Sequence, residues 1–189
     1  MLEVGIAGAG FVVACGFVYG VVQYNAFVAL RNHIRESWAD VETELKRRYE
    51  LIPNLVAVVQ GYAAHERTTL ERVSALRSRC VANHGSPAAQ AVDERELVAA
   101  LREVFVHIEA YPALKADQHF LSLQRELVNT ENRIQAARRF FNGNVRDYQT
   151  KHQAFPSNVI AKLFGFESEA YFAVESAVYE VPSVAGERG

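Results

Sequence analysis

The chain reads as all-α: an N-terminal transmembrane helix that continues into an antiparallel four-helix bundle, followed by a short C-terminal helix and a tail. Three observations predict this. The stretch Val4–Val22, VGIAGAGFVVACGFVYGVV, carries no charge, and about nineteen residues at ~1.5 Å rise give roughly 28 Å, close to a ~30 Å hydrocarbon layer. Beyond it, apolar residues recur at three- and four-residue steps with charged residues between them, and no alternating strand pattern follows. Helix stop and start signals then divide the remainder into segments joined by short loops, which favours an up-down bundle.

The predicted organisation is a short N-terminal segment (1–3), a transmembrane helix (4–22), a bundle domain (23–166) and a partly disordered tail (167–189). Val4, Gly8, Phe11, Gly16, Gly20 and Val22 mark the membrane segment. A cleaved signal peptide wants a basic start and small residues at the cleavage point, and neither Glu3 nor the run Val21-Val22-Gln23-Tyr24 fits. Gly8-Ala9-Gly10 imitates a dinucleotide-binding turn, but Val13 stands where a third small residue is needed and no βαβ pattern surrounds it. Gly16 and Gly20 have the spacing that lets two membrane helices approach closely, which makes a second copy of the chain one expected partner. Arg31 and Arg35 follow the span, favouring an outside N-terminus and a cytoplasmic bundle.

Phe27, Leu30, Ile34, Trp38, Val41, Leu45 and Ile52 line the first soluble helix. Lys46-Arg47-Arg48 reads as its solvated basic end and Pro53 as its break. A second helix is expected from Asn54 to Asn83, and then Ser86-Pro87 supplies an N-cap with proline at the first helical position. The third helix ends near Tyr111-Pro112. Asp117 caps the fourth and longest, which runs from Gln118 to about Phe155.

Composition narrows the function. A net charge of −2, from 20 Lys+Arg against 22 Asp+Glu, gives no field that favours nucleic acid. Cys15 lies inside the span and Cys80 far along the chain, so they are unsuited as a disulfide pair. No Gly-x-Ser-x-Gly elbow or phosphate-binding glycine loop occurs, and the six histidines are scattered.

Runs such as LKRRYELIPNLV, AYPALKADQHFLSLQRELVNTENRIQAARRFFN and FPSNVIAKLFGF resemble the LemA family of bacterial membrane proteins. The resemblance covers most of residues 24 to 172 and is poorest between Arg77 and Glu94. It implies one membrane span and a helical bundle, with no established enzyme activity, no cofactor and no catalytic residues to carry over.

Counted from the end of the bundle distal to the membrane, Asp40, Glu66 and Glu131 are expected at one depth, roughly 18–20 Å in. Such a layer could hold a metal, but no Glu or Asp has a His three residues on, and His65-Glu66 lacks the second His of a zinc motif. A neutralised polar layer that fixes helix register is the favoured reading. The fourth helix returns to the membrane, so Phe155, Ile160, Lys162, Phe164 and Phe166 are placed either in the bilayer interface or as a lid over the open bundle end. The expected function is a non-enzymatic, membrane-anchored scaffold or interaction module with membrane lipid and unidentified envelope proteins as partners. The alternatives are a metal- or lipid-dependent enzyme, or a membrane sensor subunit, built on Asp40, Glu66 and Glu131.

Overall fold

The computed structural model describes residues 2–63 and 66–174. The side chains of Val4 and Gly8, His65, and the tail from Glu175 to Gly189 lie outside the described residues. Among the described residues there are six helices: α1 Leu2–Tyr62, α2 Arg67–Ala82, α3 Pro87–Ile108, α4 Pro112–Lys115, α5 Gln118–Gln153 and α6 Ser157–Leu163. No strand occurs among the described residues.

The first correction concerns Pro53, which lies inside α1 instead of ending it. The helix expected over Asn54–Asn83 is therefore the end of α1 followed by α2, with the turn between Tyr62 and Arg67. Proline breaks helices because its missing N–H leaves the carbonyl four residues earlier without a donor. That carbonyl belongs to Tyr49, and Arg77 of α2 donates its Nε–H to it at 2.6 Å. A neighbouring helix thus replaces the lost backbone bond, and α1 runs on as a rod of 61 residues, roughly 92 Å.

The other boundaries follow their local chemistry. Ser86 Oγ accepts from the Ala89 N–H with Pro87 at the first helical position. Asp117 Oδ1 accepts from the Phe120 N–H at 2.9 Å, capping a 36-residue α5. Gly165 ends α6 with φ +67°, a left-handed conformation that suits glycine.

Two tiers result. In the distal tier, the last turns of α1, the α2–α3 hairpin and the first half of α5 form an antiparallel four-helix bundle around Leu55, Val59, Leu70, Leu97, Leu101 and Leu127. In the proximal tier α1 and α5 continue with α6 packed at their foot, and residues 166–174 cross them as an extended strap. Tyr148 Oη donates to Glu167 O at 2.7 Å and Gln149 Nε2 to Glu169 O at 2.6 Å. Asn142 grips the Phe172 main chain twice, donating to its carbonyl at 3.1 Å and accepting its N–H at 2.9 Å. Phe172 is 1 % exposed and meets Trp38 edge-on, in the same core cluster as Phe141. Within the expected partly disordered tail (167–189), the described residues 167–174 are packed on the domain through Phe172.

Candidate functional site

A buried polar layer crosses the distal tier, built from residues other than those expected. Arg48 is 1 % exposed and bridges two carboxylates, Glu94 of α3 and Glu131 of α5, the latter at 3.3 Å. Tyr49 Oη donates to Glu94 Oε1. Gln90 Nε2 donates to Tyr49 Oη at 2.9 Å and to Cys80 O at 3.3 Å. Each of the four long helices contributes at one depth. Arg48 and Glu94 lie about fourteen residues from the distal ends of α1 and α3, Cys80 and Glu131 about thirteen from those of α2 and α5, or roughly 20 Å.

Glu131 is thus correctly placed, while Asp40 and Glu66 are not in this layer. Because α1 ends at Tyr62, Asp40 lies about 33 Å from the distal end and is exposed in the proximal tier. Glu66 sits at the distal turn itself, where one carboxylate oxygen meets His107 Nδ1 and the other accepts from Tyr111 Oη at 3.4 Å. The structure brings none of the three expected carboxylates into contact with another. Among the described residues no group of three His, Cys, Asp or Glu could hold a metal ion.

Arg48 belongs to the basic run read as a solvated helix end. Its position on the spacing Val41, Leu45, Arg48, Ile52, Leu55 was the available signal, for that is the apolar seam of α1.

Around Arg48 the layer is closed, while Tyr49, Cys80 and Gln90 line a pocket of about 400 Å³ on its other side. Arg48 neutralises carboxylates that would be costly to bury alone, and the cavity beside them, lined by Leu45, Ile134 and Phe172, measures about 10 Å³. That is near the lower limit for one water molecule. Burial pushes the Cys80 thiol up to about 11, with nearby Asp93 also raising it, so it is a poor nucleophile at neutral pH. Burial likewise holds the Tyr49 phenol well above its usual value.

The second feature is the apolar foot. Phe11, Val13, Phe17 and Val18 of α1 are exposed, in the one stretch of the described residues long and apolar enough to cross a membrane by length and composition. α6 docks against the end of this stretch. Ile160 lies over Gly20, and Phe164 meets Tyr24 edge-on with ring centroids 5.0 Å apart. Gly20 therefore packs within the chain, while space at Gly16 is open.

The expected interface residues divide. Phe155 is 83 % exposed, and Phe164 and Lys162 are also exposed, together with Leu163 at 72 %. Ile160 is half-buried against the core. Phe166 is core, stacked on Phe27 at 4.8 Å with the Arg31 guanidinium 5.0 Å from its ring centre. α6 thus serves as both lid and exposed apolar surface, on opposite faces.

Residues 37–185 match the sequence model of the LemA family. Magnetosome protein MamQ of Magnetospirillum gryphiswaldense is 24 % identical over 177 residues, covering 80 % of this chain and 65 % of that protein. Magnetosome protein MamQ 1 of Paramagnetospirillum magneticum is 24 % identical over 182 residues, 83 % of this chain and 67 % of the relative. Protein LemA of Metamycoplasma hominis is 24 % identical over 165 residues, 86 % and 75 %. The chain spans about two thirds of the length of the magnetosome relatives it matches.

Proposed function

The chain belongs to the LemA family, and on that premise we propose that it is a single-pass, membrane-anchored, non-enzymatic scaffold whose bundle offers partners a rigid surface beside the bilayer. The observation that carries the reading is the continuity of α1. One unbroken helix is apolar and outward-facing at residues 11–22 and becomes the central helix of the bundle by Phe27, so anchor and domain are one rigid element. A signal sequence destined for removal would not be packed against the domain, whereas Gly20 is covered by Ile160 and Tyr24 by Phe164. The cavity of only about 10 Å³ beside Arg48, Glu94 and Glu131 supports a structural use of these buried charges.

The exposed face of α6 extends the anchor. Phe155, Leu163 and Phe164 enter the interfacial layer while Lys162 lies among headgroups. Arg31, Lys151 and Lys162 near this foot suit an anionic cytoplasmic leaflet, which supports a cytoplasmic bundle with the N-terminus outside. The magnetosome relatives favour a membrane-organising role, with envelope proteins, lipid and a second copy of the chain as partners.

Alkaline carbonate extraction of membranes holding the full-length chain tests the anchor. Retention in the pellet is expected, and release into the supernatant overturns the reading. Crosslinking in the same membranes, followed by identification of what is captured, tests the scaffold: reproducible protein adducts are expected, and lipid adducts alone argue against it.

A further inference from the structure

A cleft of about 760 Å³ runs along the outside of α5, walled by the start of α3 and by the strap. Arg95, Arg138, Arg139 and Arg146 converge on it, with Asn142 and Tyr171 between them. In a chain of net charge −2 this is a local excess of cations. Among the described residues Arg95, Arg138 and Arg139 have no carboxylate within 4 Å, and Arg146 has only its neighbour Asp147 at 3.6 Å. Arg48 of the buried layer is committed to internal carboxylates; these are not.

Position and shape define the ligand. Arg146 and Arg138 lie about seven and fifteen residues before the foot of α5, or roughly 10 and 22 Å up its axis. With a Debye length of about 8 Å at physiological salt, most of the cleft is beyond the reach of headgroups. Its ligand therefore comes from the water side.

The wall opposite α5 is extended chain. Asn142 holds Phe172 by both main-chain groups, and the flanking Tyr171 and Ala173 are exposed. An extended peptide lying alongside would rise about 3.3 Å per residue. The ~10–12 Å between Arg138 or Arg139 and Arg146 then matches side chains three or four residues apart. Guanidinium forks bind carboxylates in pairs of hydrogen bonds.

We propose that this cleft docks an extended acidic peptide segment of a partner protein, with carboxylates three to four residues apart held by Arg138, Arg139 and Arg146. The proposal deepens the scaffold reading by giving the partner's chemistry. It rests on the water-facing surface alone, so a failed carbonate test would leave it standing.

The experiment uses the full-length protein in neutral detergent and a labelled peptide of about twelve residues with glutamate at every third or fourth position, read by fluorescence anisotropy. Binding that weakens steeply with salt is expected. The same peptide with glutamine for glutamate, or the double variant Arg138→Gln/Arg139→Gln, should bind at least about tenfold more weakly. Arg125→Gln, an exposed cation elsewhere on α5, should bind normally. Thermal melting of each variant reports that the bundle is intact. If Arg138→Gln/Arg139→Gln disturbs folding, Arg146→Gln, fully on the surface, gives the same readout. Equal binding of the neutral peptide, equal loss in Arg125→Gln, or capture of short polyphosphate with no peptide binding would each overturn the proposal.

Discussion

The distal and proximal tiers share α1 and α5 but close their cores by different means. Distally, the α2–α3 hairpin supplies two further helices, and aliphatic side chains surround a buried charged layer. Proximally, the third wall is a strap of extended chain with the short α6 at its foot, and the core there is dominated by rings: Phe27, Trp38, Phe141, Tyr148, Phe166 and Phe172. Aromatic side chains bury more area per residue than aliphatic ones. Where fewer helices meet, larger side chains fill the gap. The two tiers should therefore fail differently when cut.

The largest effect is expected in the distal layer. Arg48→Met removes the guanidinium that bridges Glu94 and Glu131 and leaves both buried carboxylates without that bridge. Breaking a buried ion pair in this way costs about 3–5 kcal/mol. Chemical denaturation of the full-length protein in detergent should show a loss of this size. A loss under about 1 kcal/mol would mean the layer is hydrated, and the contrast between tiers would dissolve.

The proximal counterpart is Phe172→Ala. A fully buried phenylalanine lost to alanine costs about 3 kcal/mol or more when its surroundings cannot collapse. The strap is held by Asn142 on one side and flanked by Trp38 and Phe141, so we expect roughly that value. The same measurement giving less than about 0.5 kcal/mol would make the strap peripheral and the proximal tier a bare helix pair.

What the sequence made legible is what local chemistry decides. Ser86 and Asp117 act through their own backbone neighbours, and each marks the boundary it was expected to mark. The long apolar periodicities gave the α-helical class and the start of α5. Pro53 was misread because its tolerance depends on Arg77, a residue 24 positions on whose approach is a tertiary event. That single error propagated. Ending the first helix ten residues early moved the depth scale of α1, so Asp40 was matched to Glu131 in place of Arg48, and Arg48 looked like part of a frayed basic end. Glu131 survived because α5 begins where its cap says. The arginine cleft was invisible for another reason: Arg95 and Arg138 are joined only when α3 and the strap fold against α5.

The link between Pro53 and Arg77 can be weighed by a double-mutant cycle, and it is expected to be smaller than either core effect. Arg77→Ala should cost about 1–3 kcal/mol, because the Tyr49 carbonyl is left without its donor. In a Pro53→Ala background the restored N–H can satisfy that carbonyl, so the cost of Arg77→Ala should fall by about 1 kcal/mol. Additive losses would show that Arg77 matters through packing alone.

The smallest effect belongs to the distal cap and depends on pH. Asp117 is held below the usual carboxylate range, first by the Phe120 N–H that donates to it and then by the Tyr62 hydroxyl. Its charged form is therefore favoured by folding, and that contribution is complete at pH values above the ordinary carboxylate pKa of about 3.9. It shrinks as pH falls through that value and vanishes below the depressed folded pKa. Asp117→Asn keeps an acceptor for the cap but cannot ionise. Melting temperatures of the native chain and this variant should differ by a constant margin from neutral pH down to about 5 and converge in stronger acid. A margin that is independent of pH throughout would assign the cap's contribution to geometry and remove the charge from the account.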